Sequence, residues 1–128
     1  MAKILVAEDE KQIADMISFK LTNAGHQVLR APDGEQAMTS AKREMPDLIL
    51  LDVMMPGLGG IEVLRRLKND PALRSVPVIM VTAKGHERDV LSGLRGGATD
   101  YIVKPFSLKE LSARVELALR KEPPATAS

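Results

Sequence analysis

Five side chains capable of chemistry stand directly after short apolar runs. Glu8 and Asp9 follow Ile4–Ala7, Asp52 follows Leu48–Leu51, Thr82 follows Val78–Val81, and Lys104-Pro105 follows Tyr101–Val103. Taken singly most have ordinary uses. Asp9 opens Asp9-Glu10-Lys11-Gln12, a capping box for a helix, while Thr82 suits a turn and Lys104 a solvated surface. Asp52 is harder to dismiss, because a lone charge ending an apolar run is costly to bury.

Brought together, the group has a definite chemistry. Two like charges about 4 Å apart repel by roughly 4 kcal/mol at an effective dielectric of about 20. Three carboxylates in one crevice therefore take up protons or hold a cation. The chain has no cysteine, and oxygen donors favour a hard ion. Mg²⁺ suits a site of a few carboxylates completed by water and a phosphoryl oxygen. With its charge offset, one carboxylate can attack phosphorus and form an aspartyl-phosphate. Lys104 and Thr82 would then hold equatorial oxygens of the transferring group.

These residues meet only if the elements carrying them converge. Apolar runs at Ile4–Ala7, Gln27–Leu29, Leu48–Leu51, Val78–Val81 and Tyr101–Val103 alternate with stretches of helical spacing. Ile13, Met16, Ile17, Leu21 and Ala24 share one helical face, as do Leu108, Leu111, Val115 and Ala118. Such alternation predicts an α/β fold, a doubly wound (βα)5 parallel sheet of five strands. The uninterrupted central runs suit strands covered on both faces. The more polar His26–Arg30 and Asp100–Lys104 suit edges, which agrees with the flavodoxin-like order 2-1-3-4-5. In that order the first and third strands are neighbours at the reversal, where ligands bind beyond the carboxyl ends. Boundaries are marked by capping boxes at Asp33-Gly34-Glu35-Gln36 and Ser107-Leu108-Lys109-Glu110. Phe106 and Leu111 are placed as a staple beside the second box, and Gly25, Gly96-Gly97 and Pro77 act as stops. One domain over residues 1–121 is expected, with a linker-like tail over 122–128.

Composition narrows the function. A chain of 128 residues with 45% apolar content can fold as one unstapled domain. Its 18 basic and 17 acidic residues leave a net charge of +1, so no global field draws nucleic acid or a membrane surface. Phe19, Tyr101 and Phe106 are too few for base-stacking platforms. The N-terminal apolar run is too short for a secretory signal, and no run approaches a membrane span. A cytoplasmic location is expected.

The sequence resembles the receiver domains of two-component response regulators from Lys3 to Lys121. The resemblance rests on Ile4-Leu5-Val6-Ala7-Glu8-Asp9-Glu10, Asp52-Val53-Met54-Met55-Pro56-Gly57, Val81-Thr82-Ala83 and Gly97-Ala98-Thr99-Asp100-Tyr101-Ile102-Val103-Lys104-Pro105-Phe106. It implies that Asp52 is the phospho-acceptor and that Asp9 binds Mg²⁺ directly, with Glu8 acting through water. Met54 would add its backbone carbonyl to the metal. Thr82 and Lys104 would engage the phosphoryl group, Tyr101 would turn inward as the switch aromatic, and the bond before Pro105 would be cis. The resemblance also implies a sensor histidine kinase or phosphotransfer protein as donor. Its output surface would comprise the fourth helix, fifth strand and fifth helix, read by an effector domain or protein. It implies autodephosphorylation but no turnover of an external substrate.

Departures from the family pattern are few. Gly59 stands where an acidic residue is common, and Met54 and Lys84 occupy positions that tune phosphoryl lifetime. Asp100, Glu110 and Arg114 fit part of a family dimer interface, whereas Val90, Arg95 and Thr99 do not. A weak or phosphorylation-dependent homodimer is thus only partly supported. Competing readings fare worse. A nucleotide or flavin module needs a phosphate cradle after the first strand, where Glu8-Asp9-Glu10 repels phosphate. An Asp-nucleophile phosphatase of the haloacid-dehalogenase type needs a D-x-D spacing that is absent there, and a pseudo-receiver would lack a site position. His26 and His86 read as surface residues, and Arg65, Arg66 and Lys68 as a solvated helix face.

Overall fold

A computed structural model describes residues 1–83 and 87–120. Its elements run β1 (Lys3–Ala7), α1 (Lys11–Asn23), β2 (Gln27–Ala31), α2 (Gly34–Glu44), β3 (Leu48–Asp52), α3 (Gly60–Lys68), β4 (Val78–Ala83), α4 (Glu87–Arg95), β5 (Asp100–Lys104) and α5 (Leu108–Arg120). The strands pair in parallel in the order β2-β1-β3-β4-β5, the expected flavodoxin-like sheet. Lys84, His86 and the 122–128 tail lie outside the described residues.

The pleat divides the core between two faces. Leu5, Ala7, Ile49 and Leu51 pack with Ala37 and Ala41 of α2 and Val63 and Leu67 of α3. Ile4, Val6, Leu48 and Leu50 point the other way, onto Ile17 and Leu21 of α1 and Leu111 and Val115 of α5. Every residue of β3 is buried, whereas β2 and β5 carry exposed positions. The central strand is covered on both faces and the outer ones are not, which is why the polar runs are edges.

Helix ends follow the sequence except at α1. The Asp33 carboxylate accepts from the Gln36 backbone N–H at 2.8 Å, and the Ser107 hydroxyl accepts from that of Glu110 at 3.0 Å. Gly25, just past the C-cap of α1, takes a left-handed φ of 95°. The capping box expected at Asp9 does not form. Glu10 is the N-cap, and its side chain makes no cap hydrogen bond. Two members of the predicted apolar face of α1, Met16 and Ala24, are exposed, and Ala14 is buried instead. His26 corrects another expectation. Its side chain is buried, with Nδ1 accepting from the Ala2 N–H at 3.1 Å and Nε2 bonded to Glu116 at 2.8 Å. Glu116 is ninety positions away in the chain, so no local pattern announces this partner.

Two glycines set the loop between β3 and α3. A Cβ on Gly60 would lie 2.2 Å from the Asp52 carbonyl oxygen, and one on Gly34 would lie 1.9 Å from that of Leu58. Both neighbours are backbone atoms, so a methyl group is accommodated only by moving the loop. The Gly60 N–H also donates to the Val53 carbonyl at 2.9 Å. The Gly34→Ala variant is expected to lose about 1–3 kcal/mol of stability, read from urea denaturation. An unchanged midpoint would mean that the loop yields without cost.

Candidate functional site: an acidic cluster at the carboxyl end of the sheet

The parallel register aligns the strand ends that carry the site. Ala7 is level with Leu51, Asp52 with Val81, and Ala83 with Lys104. Glu8, one residue past β1, therefore stands beside Asp52 at the end of β3, and Lys104 arrives from the edge across β4. Carboxylate oxygens of Glu8, Asp9 and Asp52 all lie within 4.8 Å of one another. Glu8 and Asp52 are buried and Asp9 is exposed. The crowding expected from the sequence is thus present.

Lys104 supplies the counter-charge. Its ammonium donates to Asp52 Oδ2 at 2.9 Å and to Glu8 Oε2 at 3.4 Å. It also lies 3.1 Å from Glu8 Oε1, an oxygen with charge contact but no hydrogen-bond partner among the described residues. A further bond at 3.3 Å joins it to Glu10 Oε1. Burial works against the charge on Lys104. The hydrogen bond and charge of Asp52, with the charge of Glu8, outweigh that penalty and raise its pKa. The Glu8 pKa rises too, which in an acid disfavours the charge: burial, and then the neighbouring Asp52 carboxyl, push it up to about 7.

The remaining expected residues frame this cluster. Asp52 Oδ1 accepts from the Met54 backbone N–H at 3.0 Å, fixing the carboxylate and the start of the loop together. Thr82, which suited a turn by sequence, ends up buried near the end of β4, and among the described residues its hydroxyl has no hydrogen-bond partner. The Lys104–Pro105 peptide bond is cis. Tyr101 lies on β5 with its side chain partly exposed. Glu10 was given no role by its sequence context. The signal available was an N-cap residue whose side chain is a poor capper.

The donor set fits a hard divalent cation. Three carboxylates supply oxygen ligands with one side open to solvent at Asp9, the surroundings in which Mg²⁺ keeps several waters.

The comparisons decide the family. The profile of the response regulator receiver domain matches residues 4–116. The chain belongs to the response regulator receiver domains. It is 46% identical over 122 residues to the phosphate regulon transcriptional regulatory protein PhoB of Escherichia coli, covering 95% of this chain and 53% of that protein. It is likewise 46% identical over 119 residues to the alkaline phosphatase synthesis transcriptional regulatory protein PhoP of Bacillus subtilis, covering 93% of this chain and 49% of that one. The chain therefore spans about half the length of these curated relatives. Among solved structures, the Francisella response regulator 1452 receiver domain superposes with a TM-score of 0.86 at 36% identity, covering 94% of this chain and 98% of that chain. Receiver domains are signalling domains of two-component systems and do not turn over a substrate. Among the described residues, no helix is long and apolar enough to cross a membrane.

The raised pKa of Glu8 has a thermodynamic consequence. The folded protein retains this proton up to about pH 7, whereas the unfolded chain releases it near 4.5. The unfolded state binds fewer protons across that window, so stability is highest below it and falls as pH rises through it. Urea midpoints of metal-free protein are expected to decline between these pH values, and Glu8→Gln to flatten the decline. A slope unaltered by Glu8→Gln would assign the titration elsewhere.

Proposed function

We propose that this chain is a phosphorylation-driven switch in which Asp52 accepts a phosphoryl group from a sensor histidine kinase or phosphotransfer protein. The observation that carries this reading is the convergence of Lys104 on Asp52 and Glu8 beside the unpartnered hydroxyl of buried Thr82. The arrangement sets a carboxylate 2.9 Å from an ammonium, with the Thr82 hydroxyl one residue past Val81, the register partner of Asp52 on β4.

The residues divide the work. Glu8, Asp9, Asp52 and the Met54 carbonyl would hold Mg²⁺, which supplies positive charge that lets an anionic carboxylate approach an anionic phosphoryl group. The Met54 N–H holds Asp52 Oδ1 in place, leaving Oδ2, the oxygen hydrogen-bonded to Lys104, to form the new bond to phosphorus. As that bond forms, the donor's P–N bond breaks, its electron pair leaving with the histidine nitrogen, and Lys104 transfers its hydrogen bond from the carboxylate to a phosphoryl oxygen. The Thr82 hydroxyl donates to another, gaining the partner it lacks. Its displacement opens the space into which Tyr101 turns.

The switch then works by differential contact. Inactive and active arrangements of α4, β5 and α5 coexist, and the new bonds to Thr82 and Lys104 favour the active one. An effector domain or separate protein reads that face, and the greater length of PhoB and PhoP is consistent with a joined effector. Direct nucleic-acid binding by this domain finds no support in its balanced charge. A phosphorylation-dependent homodimer would have to draw on charges already engaged within one chain. Arg114 makes bonds of 2.9 and 2.8 Å to Asp100 and one of 3.3 Å to Glu110. A cytoplasmic setting and autodephosphorylation complete the reading.

Intact mass after exposure to acetyl phosphate and Mg²⁺ is expected to rise by one phosphoryl group, mapped to Asp52. Asp52→Asn is expected to lose at least nine-tenths of that labelling, roughly the loss that removing a catalytic nucleophile entails. Undiminished labelling of the variant would refute the acceptor assignment.

A further inference from the structure

Glu10 stands at the mouth of the site yet contributes little to its own helix. It occupies the N-cap of α1, a position where Ser, Thr, Asp or Asn would bond an unpaired backbone N–H. Its side chain makes no such bond, and the first turn of α1 carries no acidic residue. The dipole at this end, which favours negative charge, is thus left without a first-turn partner. The carboxylate turns instead to Lys104, at 3.3 Å. Its backbone is anchored to do so, since the Glu10 N–H donates to Glu8 Oε2 at 3.1 Å and its carbonyl accepts the first helical bond from Ala14 at 2.9 Å. A local preference given up in this way is typical of functional positions.

The position has two consequences for an incoming phosphoryl donor. Glu10 is 61% exposed where Lys104 is 18% exposed, so an anionic donor meets the Glu10 charge before it reaches the ammonium. The donor must also take Lys104 from a third carboxylate, beyond Asp52 and Glu8. We propose that Glu10 is a specificity-determining residue of the phosphorylation reaction, a rim carboxylate that selects against phosphoryl donors of high negative charge. The proposal rests on Asp52 being the acceptor.

Two small donors separate charge from chemistry. At neutral pH acetyl phosphate is a dianion and phosphoramidate a monoanion whose nitrogen is already protonated. In each case Asp52 Oδ2 forms the new bond to phosphorus. The P–O bond to acetate breaks in the first, with acetate taking the electron pair, and the P–N bond breaks in the second, releasing ammonia. For a purely electrostatic screen the effect on the dianion is the square of that on the monoanion. Glu10→Gln is therefore expected to speed labelling by phosphoramidate about twofold and by acetyl phosphate about fourfold, at saturating Mg²⁺ and low salt. The difference should shrink towards none in about 1 M salt. Glu10→Asp, which keeps the charge but shortens the reach, is expected to retain the wild-type ratio of the two rates.

An unchanged ratio in Glu10→Gln, or equal acceleration with both donors, would overturn the selectivity role while leaving Asp52 as acceptor. Absence of labelling at Asp52 in the wild-type protein with either donor would overturn both.

Discussion

One ammonium makes the rest of this architecture tolerable. Glu8 and Asp52 are buried close together, and carboxylates so placed cannot both remain ionised without compensation. Lys104 reaches them from the last strand of the sheet. The topology therefore brings the end of the last strand to the end of the first to neutralise a site that β1 and β3 create. Removing one partner from such a group leaves an unpaired buried charge, which costs more than the pair contributes. The arrangement is consequently poised: any new anion or cation entering it must rearrange bonds that already exist.

The fold was legible because its signals repeat along the chain. Uninterrupted Leu48–Leu51 and Val78–Val81 mark central strands, polar flanks mark β2 and β5, and Asp33, Ser107 and Gly25 mark helix ends by local chemistry alone. The candidate site was legible for a related reason. In a parallel sheet every strand ends on the same side, so residues immediately after the apolar runs are brought together by topology. Glu8, Asp9, Asp52 and Lys104 needed no knowledge of distant pairing beyond strand order.

What escaped the sequence depended on partners far along the chain. His26 is buried because Ala2 and Glu116 satisfy its two ring nitrogens, and nothing near it specifies either. Asp9 was expected both in the cluster and as a cap; the cluster forms, but Glu10 takes the N-cap position. Three carboxylates suggested protons or a metal as alternatives. The structure pairs Glu8 and Asp52 with Lys104, and burial with the neighbouring Asp52 raises the Glu8 pKa as well, because compensation is shared among several groups when burial is uneven.

The contact between Gly34 and Leu58 links two segments that a reading by motif would treat as separate. One begins α2 and the other belongs to the loop after β3, and their backbones meet with no room for a side-chain carbon between them. Evolutionary change at either place is therefore constrained by the other. A bulkier residue at position 34 would survive in a lineage only with a compensating redrawing of the loop, so the two segments should drift as one inherited unit.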